Sequence, residues 1–447
     1  MAPSLDYRRA PRTLPLAAGV IVRHGGTLMA RTSWRYGFSI CALVMTGCVN
    51  KPARDANSPT LVAEDIGRTM ALIDAEYADV VPRERLYRGA VRGMLTELDP
   101  HSSYFDPQEF KELQEHTSGS RVGIGVELDL RGGRVRVIAP VEGAPAFRAG
   151  VRPGDELLAV DGHAVEIDGA DKVLRRLRGD AGSQVRLKFR RGAATLDIAL
   201  TREALHFDCA SSKTLANGIW YLRIRSFQQQ CHEEVMRAWK KAAATKPARI
   251  LLDMRSNPGG LVTEAVALAD EWLEQGDIVS LYARGELRES SPASSGGAFV
   301  GIPTVVLLNR WSASASEILA GALKDAKAAR IVGEQSYGKG TVQAVVALPS
   351  GGGMALTIAR YTTPSGRYIQ GQGIVPEVQF EQAAAADAPP DMPRESEIPG
   401  ALAAPKGHQE KPLSTVRLEG VRDGAAPLSD EDTWARAALG LFAERAP

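Results

Sequence analysis

Three serines alternate with alanines in Ser312-Ala313-Ser314-Ala315-Ser316 and run directly into Glu317. Further along, a lysine stands between two glycines, Gly338-Lys339-Gly340. A serine hydroxyl becomes a strong nucleophile only when a neighbouring base takes its proton. The seven histidines are scattered, and none lies between residues 233 and 407. The pattern therefore points to serine chemistry with a lysine base rather than a serine-histidine-aspartate triad.

Ser314 follows an apolar stretch and opens a helical one. Free backbone N–H groups and the positive end of the helix dipole collect at such a position. An acyl oxyanion formed at Ser314 would meet the Ala315 N–H. Serine is also an ordinary helix cap, so each of the three serines fits a second, purely structural reading. Lys339 likewise fits a solvated turn. If buried, however, its amine loses its proton more easily, because desolvation penalises the charged form. Gly333 and Gly338-Lys339 approach a phosphate-binding loop, but Gly340 occupies the position of the magnesium-binding Ser or Thr. The residues after it, Val342 to Leu348, read as a strand rather than the helix such a loop needs.

Asp253-Met254-Arg255-Ser256-Asn257-Pro258-Gly259-Gly260 ends a second apolar run. Its paired glycines allow close backbone approach to a ligand, so Gly259 or Gly260 would supply a second oxyanion donor. The same glycines also suit a plain strand-to-helix turn. Gly123-Ile124-Gly125-Val126 opens a strand-rich stretch. A loop of this kind binds a peptide's terminal carboxylate through backbone N–H groups, with the peptide adding as a strand.

The elements that would carry these residues follow from periodicity. Ile66, Met70, Ile73 and Tyr77 recur at helical spacing, as do Leu86, Ala90, Met94 and Leu95, and a further helix is expected from Pro107. Period-two strands are expected at Val135–Ile138, Asp155–Gly162, Val185–Phe189 and Thr195–Leu200, with one helix over 170–178. From residue 219 strands alternate with helices, which predicts an α/β layout. The polar insert around Ser290-Ser291 and Ser294-Ser295-Gly296-Gly297 reads as a loop.

The chain has 447 residues and a net charge of +1, which predicts two or three domains and no basic surface for nucleic acid. No C-x-x-C or H-E-x-x-H occurs, so no zinc site is expected. Of the four cysteines, Cys209 and Cys231 read as small core residues, with pairing open to an exported protein. Arg31 and Arg35 precede a short apolar run, Tyr36 to Met45, and then Thr46-Gly47-Cys48. This reads as an export signal. Small residues before Cys48 resemble a bacterial lipobox, making Cys48 the expected lipidation site, although Met45 stands where leucine is usual. Met29 would begin a signal of ordinary length.

Together these blocks resemble the carboxyl-terminal processing proteases, Ser-Lys endopeptidases of the tail-specific protease family that carry a PDZ domain. The resemblance spans residues 61–382. It rests on Leu98-Asp99-Pro100-His101-Ser102 with Tyr104, on Gly123 to Val126, and on Gly150-Val151-Arg152-Pro153-Gly154-Asp155. It also rests on Arg178 to Ser183, Asp253 to Gly260, Ser312 to Glu317, Ser336 to Gly340, Tyr361 to Arg367, and Gly373-Ile374-Val375-Pro376. It implies Ser314 as nucleophile, Lys339 as general base, and Gln343 as the residue that orients the lysine. Two-residue alternation would set Gln343 on the same side of a strand as Lys339. It implies an oxyanion hole from Gly259 or Gly260 with Ala315. It further implies peptide binding at Gly123, Ile124, Gly125 and Val126, with Arg178 coupling PDZ to protease. The resemblance implies no metal or other cofactor.

The implied fold is multidomain α+β. Residues 1–48 form a signal segment (29–48 if the start is Met29), 49–60 a linker and 61–117 a helical domain. A PDZ domain follows over 118–203, a crotonase/ClpP-like α/β protease core over 204–382, and a mostly flexible tail with one short helix over 383–447. The implied function is a lipid-anchored periplasmic endopeptidase acting through an acyl-enzyme. Its partners would be unfolded or C-terminally exposed proteins, the membrane, an adaptor lipoprotein and further copies of the chain. An inert PDZ scaffold and a crotonase-like acyl-CoA enzyme are the alternatives.

Overall fold

The computed structural model describes residues 58–129, 134–141, 143–384, 393–403, 410–422, 428–429 and 432–442. The expected signal segment, Cys48 and most of the expected linker lie outside them. The chain divides into two compact units, Met1–Val80 and Val81–Pro447. The first contains one described helix, α1 (Pro59–Glu76). The second begins with α2 (Arg83–Thr96), the short strand β1 (Ser103–Phe105) and α3 (Pro107–Ser118).

Next, β2 (Ser120–Gly123) leads into a strand-rich module. It holds β3 (Val126–Asp129), β4 (Val135–Pro140), the turn-like helix α4 (Pro145–Arg148), β5 (Glu156–Val160), β6 (His163–Ala164), α5 (Val165–Leu177), β7 (Gln184–Arg191) and β8 (Ala194–Thr201). Its sheet runs β3-β4-β5-β7-β8, with β6 on β5. Alternation decides which face is covered. Val185, Leu187 and Phe189 of β7 are buried while the intervening Arg186, Lys188 and Arg190 are exposed. β9 (Glu203–His206) returns to pair antiparallel with β2, closing the module at the chain's way in and out.

The third part is built on a seven-stranded sheet. Its strands are β10 (Ala210–Leu215), β11 (Ile219–Ile224), β12 (Arg249–Asp253), β15 (Thr304–Leu308), β16 (Ala329–Gly333), β19 (Val378–Ala384) and β20 (Ser414–Arg422), in that spatial order. All neighbours are parallel except β10 and β11. Continuous apolar runs such as Val305 to Leu308 are buried on both faces, as a parallel sheet requires. One face packs on α6 (Cys231–Ala242), α7 (Val262–Asp270) and α8 (Ala315–Asp325) through Trp220, Leu222, Ile250, Leu252 and Leu319. The other face presents Tyr221, Leu251, Val305, Leu307 and Phe380 to Trp434 and Ala438 of α9 (Thr433–Gly440).

Four expectations change here. The tail is not merely flexible: it supplies β20, a 3-10 turn at Glu395–Glu397 and α9. Its Ala- and Pro-rich composition hides β20 and the 3-10 turn, whereas α9 is the short helix expected there. The polar insert is a loop only in part: Ser290 and Ser291 lie in a strand, and Ser294 to Gly297 lie outside one. β13 (Asp277–Ala283) and β14 (Glu286–Pro292) form a hairpin in a second sheet with β1, β17 (Thr341–Ala347) and β18 (Gly353–Thr362). Because β1 pairs with β18, residues 61–117 are not a self-contained helical domain.

Finally, Cys209 and Cys231 are a disulfide, with Cα atoms 5.6 Å apart, rather than two core thiols. The bond ties the start of the sheet to the start of α6. Replacing both cysteines by serine should lower stability by about 3 kcal/mol, the chain-entropy value for a loop of this size. Thermal denaturation with and without reductant checks this, since the parent should fall to the variant's level when reduced.

Candidate active site

β15 delivers the chain to Asn309, and α8 begins at Ala315 with Ser314 at its cap. The three serines have different fates. Ser312 is fully buried and its hydroxyl donates to the Met254 carbonyl at 2.9 Å. Ser316 is fully buried and donates to the Asn257 carbonyl at 3.0 Å. Both are staples that hold the serine segment onto the 253–260 turn. Ser314 makes no such bond and is only half-buried, with the Tyr361 hydroxyl in hydrogen-bonding reach of its side chain. Its backbone is held at φ 56°, a region that L-residues avoid and that functional sites often store.

The 253–260 turn is fixed from beneath. Asp253, fully buried, accepts from the Tyr221 hydroxyl at 2.8 Å, from Arg223 at 3.1 Å and from the Arg255 guanidinium at 2.7 Å. Arg255 in turn donates to both oxygens of Asp432 at 2.8 Å, which caps α9. Asn257 bonds the Ile224 carbonyl and accepts the Gly259 N–H at 2.9 Å. That bond corrects one expectation: the Gly259 N–H is engaged by Asn257 and does not serve as an oxyanion donor. Gly259 matters through its missing side chain. A Cβ there, at φ 101°, would lie 2.8 Å from the Ser314 Cβ and 2.9 Å from the Ala315 nitrogen. Gly260 is different. Phe227 bridges to its neighbours, donating to the Gly259 carbonyl and accepting from the Leu261 N–H, so the Gly260 N–H turns away from that bridge. Among the described residues no acceptor engages the Gly260 or Ala315 N–H. These two amides flank Gly259 beside Ser314.

Lys339 lies in the segment between β16 and β17. Glu317, fully buried in the first turn of α8, organises this segment. One of its oxygens accepts from the Ser336 hydroxyl at 2.6 Å and the Gly338 N–H at 2.7 Å. The other accepts from the Ser314 N–H at 2.7 Å and the Lys339 N–H at 3.0 Å. A single carboxylate thus holds the backbones of the serine and the lysine together. Burial pushes its pKa up to about 7, against the four donors that lower it. The Tyr361 hydroxyl, also bonded to the Lys339 carbonyl, holds the other side of the lysine. Desolvation lowers the Lys339 pKa below the ordinary lysine value, opposed by the negative charges of Glu395, Glu317 and Asp99. Among the described residues no carboxylate forms an ion pair with it.

Gln343 differs from its expected geometry. Lys339 precedes β17, and a register shift separates Val342 from Gln343, so strand alternation does not relate the two residues. The Gln343 amide donates to the hydroxyls of Thr341 at 3.0 Å and Thr357 at 3.1 Å rather than to the lysine. Thr357 continues to Asp99, which also accepts from the His101 and Ser102 N–H groups.

Gly123, Ile124, Gly125 and Val126 line a groove of about 640 Å³ with Leu174, Leu177 and Arg178 on its far side. Gly125 is obligatory at φ 72°, since a Cβ would fall 2.2 Å from that of Ala144. Arg178 pairs with Glu112 of α3 at 2.5 Å, so α3 forms the groove's outer wall. His206, Asp208 and Glu234 bring possible metal-binding atoms within 4.8 Å of one another. The Glu234 carboxylate there is already engaged by the His206 ring and the Cys209 N–H.

Asp99, Glu317 and Tyr361 stand inside the family-like blocks but had no expected role, and Glu395 stands outside those blocks. Glu317 carried one signal, an acidic residue three positions after a helix-capping serine.

Residues 218–380 match peptidase family S41, 136–191 match the PDZ domain, and 44–109 match the activating protease CtpB N-terminal domain. A carboxy-terminal-processing protease of Bartonella bacilliformis is 35% identical over 317 residues, covering 69% of this chain and 73% of that one. A probable CtpA-like serine protease of Staphylococcus aureus is 31% identical over 350 residues, covering 78% and 69%. Among solved structures, the photosystem II D1 C-terminal processing protease is 31% identical, with a TM-score of 0.44, covering 70% of this chain and 92% of that one.

Proposed function

Because this chain belongs to peptidase family S41, as a serine-type peptidase of the carboxy-terminal-processing group with a PDZ domain, we propose that it cleaves peptide bonds with Ser314 as nucleophile and Lys339 as general base. One observation carries the reading. Of the three serines only Ser314 does not donate its hydroxyl to a backbone carbonyl among the described residues, and one buried carboxylate joins its N–H to that of Lys339.

In this mechanism the Ser314 hydroxyl attacks the substrate carbonyl while the neutral Lys339 amine takes its proton. The oxyanion is held by the Ala315 and Gly260 N–H groups. Collapse expels the amine, which receives its proton from Lys339, and leaves an acyl-Ser314. Water, deprotonated by the same lysine, releases the acid and restores the serine. The groove at Gly123–Val126 suits a chain terminus, with backbone N–H groups for the carboxylate and Leu174 and Leu177 for an apolar last side chain. We further read the helix-covered parallel sheet as crotonase/ClpP-like. We place the enzyme in the bacterial periplasm, a reading supported by the Cys209–Cys231 disulfide, which needs an oxidising compartment. Anchoring through Cys48 belongs to the same proposal.

A phosphonate probe that modifies activated serines tests the dyad. Mass spectrometry should find it on Ser314, and Lys339→Ala should abolish the label. Label on another serine, or undiminished label without the lysine, sinks the assignment. No label at all in a folded protein would favour the inert scaffold.

A further inference from the structure

The negative charges of Glu395, Glu317 and Asp99, carried by three separate elements, oppose the desolvation of the Lys339 amine. Each accepts hydrogen bonds from other donors, and among the described residues none forms an ion pair with the amine. Glu317 and Asp99 belong to the serine helix and to the turn after α2. Glu395 comes from the tail segment 393–403, far along the chain.

Glu395 is fully buried. Its two oxygens accept from the His101 Nε2 at 2.9 and 2.8 Å, and one also accepts from the Gln370 amide at 2.8 Å. The same Gln370 nitrogen donates to the Leu402 carbonyl at 3.0 Å, while its oxygen accepts the Gly340 N–H at 2.9 Å. On the other side of the lysine, the Glu395 N–H reaches the Tyr337 carbonyl at 3.4 Å. The segment therefore grips residues on both sides of Lys339. Gly340 permits this, because a Cβ there would lie 2.2 Å from the Gln370 nitrogen. An amide staple would serve a purely structural clamp at lower desolvation cost than a buried carboxylate. The charge itself needs a reason, and its attraction for the Lys339 amine supplies one.

We propose that Glu395 is a positioning residue of the catalytic centre: held by His101 and Gln370, it fixes the Lys339 loop and keeps a negative charge beside the amine. The proposal rests on the reading of Lys339 as the base. Desolvation pulls the amine towards its neutral form, and Glu395 limits how far it goes. A base stripped too far would accept the serine proton poorly.

The test uses the full chain carrying Ser314→Ala, which prevents self-cleavage, and measures acetylation of the Lys339 amine against pH by mass spectrometry. Glu395→Gln removes the charge and keeps the shape. Its labelling midpoint should move to lower pH, with labelling on the acid side faster by on the order of threefold. His101→Asn keeps the charge but frees it to approach the amine, so its midpoint should move to higher pH. Circular dichroism confirms that each variant is folded, and either one alone suffices. Unchanged midpoints in folded variants overturn the proposal. In chains that retain Ser314, the acid limb of peptide cleavage should move with the labelling. A labelling shift without that movement overturns the base assignment of Lys339, and with it the catalytic role given to Glu395.

Discussion

Ser314→Ala lowers kcat/KM for peptide cleavage by about 10⁴-fold or more, and Lys339→Met does the same. The double variant should be no worse than either alone, because in the proposed mechanism the two groups act in one proton transfer and lose it together. The two single variants part company in stability. Ser314→Ala relieves little. Lys339→Met removes a buried amine whose pKa is lowered by desolvation, so the folded state resists its charged form. For such a group, stability is fully present above the ordinary lysine value of 10.5 and is lost as pH falls through the folded value. Lys339→Met is therefore more stable than the parent at neutral pH, on the order of 1 kcal/mol, and the gap closes as pH rises. Peptide assays and urea unfolding at two pH values check both statements. Equal stability at neutral pH would remove the case for a desolvated lysine. Residual cleavage near the parental rate in either variant would remove the dyad.

Glu317→Gln is the second large effect. The carboxylate accepts four donors, and an amide can accept at only one of its two ends. The NH₂ end of glutamine would face two backbone N–H groups, or one N–H and a hydroxyl, in a site without solvent. Breaking a buried polar network of this kind costs on the order of 3 kcal/mol. Activity falls with it, since the same bonds set the serine and lysine backbones. The pH dependence has a definite sign. The folded pKa near 7 lies above the ordinary 4.5, so the folded state binds more protons between those values. The group's contribution is complete below about 4.5 and is lost as pH rises through about 7. The parent should lose stability from this group between pH 5 and 8, and Glu317→Gln should lack that slope. A destabilisation that grows with pH would contradict this.

Much of the fold can be read from the chain, and particular residues show why. The strands Ile219–Ile224 and Thr304–Leu308 are runs of apolar residues buried on both faces, a local signal. The helix after Ser314 carries its cap and its apolar residues in one stretch. The β13–β14 hairpin is polar and half-exposed along β14, so it offered no period-two contrast. β20 is an edge strand in charged sequence, and its identity comes from pairing with β19. The same distinction runs through the site. Ser314 and Lys339 announce themselves by residue type. Gln343 lost its expected geometry to a bulge, which no spacing rule reveals. Glu395 depends on His101, nearly three hundred positions earlier, and neither residue is unusual alone. Gly259 and Gly260 were identified as a pair, but their division of labour follows from where Asn257 and Phe227 send their hydrogen bonds.

The Arg255–Asp432 tie has a consequence in time. The turn beside Ser314 is braced by a residue 177 positions further along the chain. During synthesis the ribosome therefore finishes the serine, the lysine and the groove well before it makes the brace, and Glu395 also arrives late. A growing chain that already contains Ser314 and Lys339 still lacks Glu395 and Asp432, so the brace under the 253–260 turn forms only after residue 432 has been made.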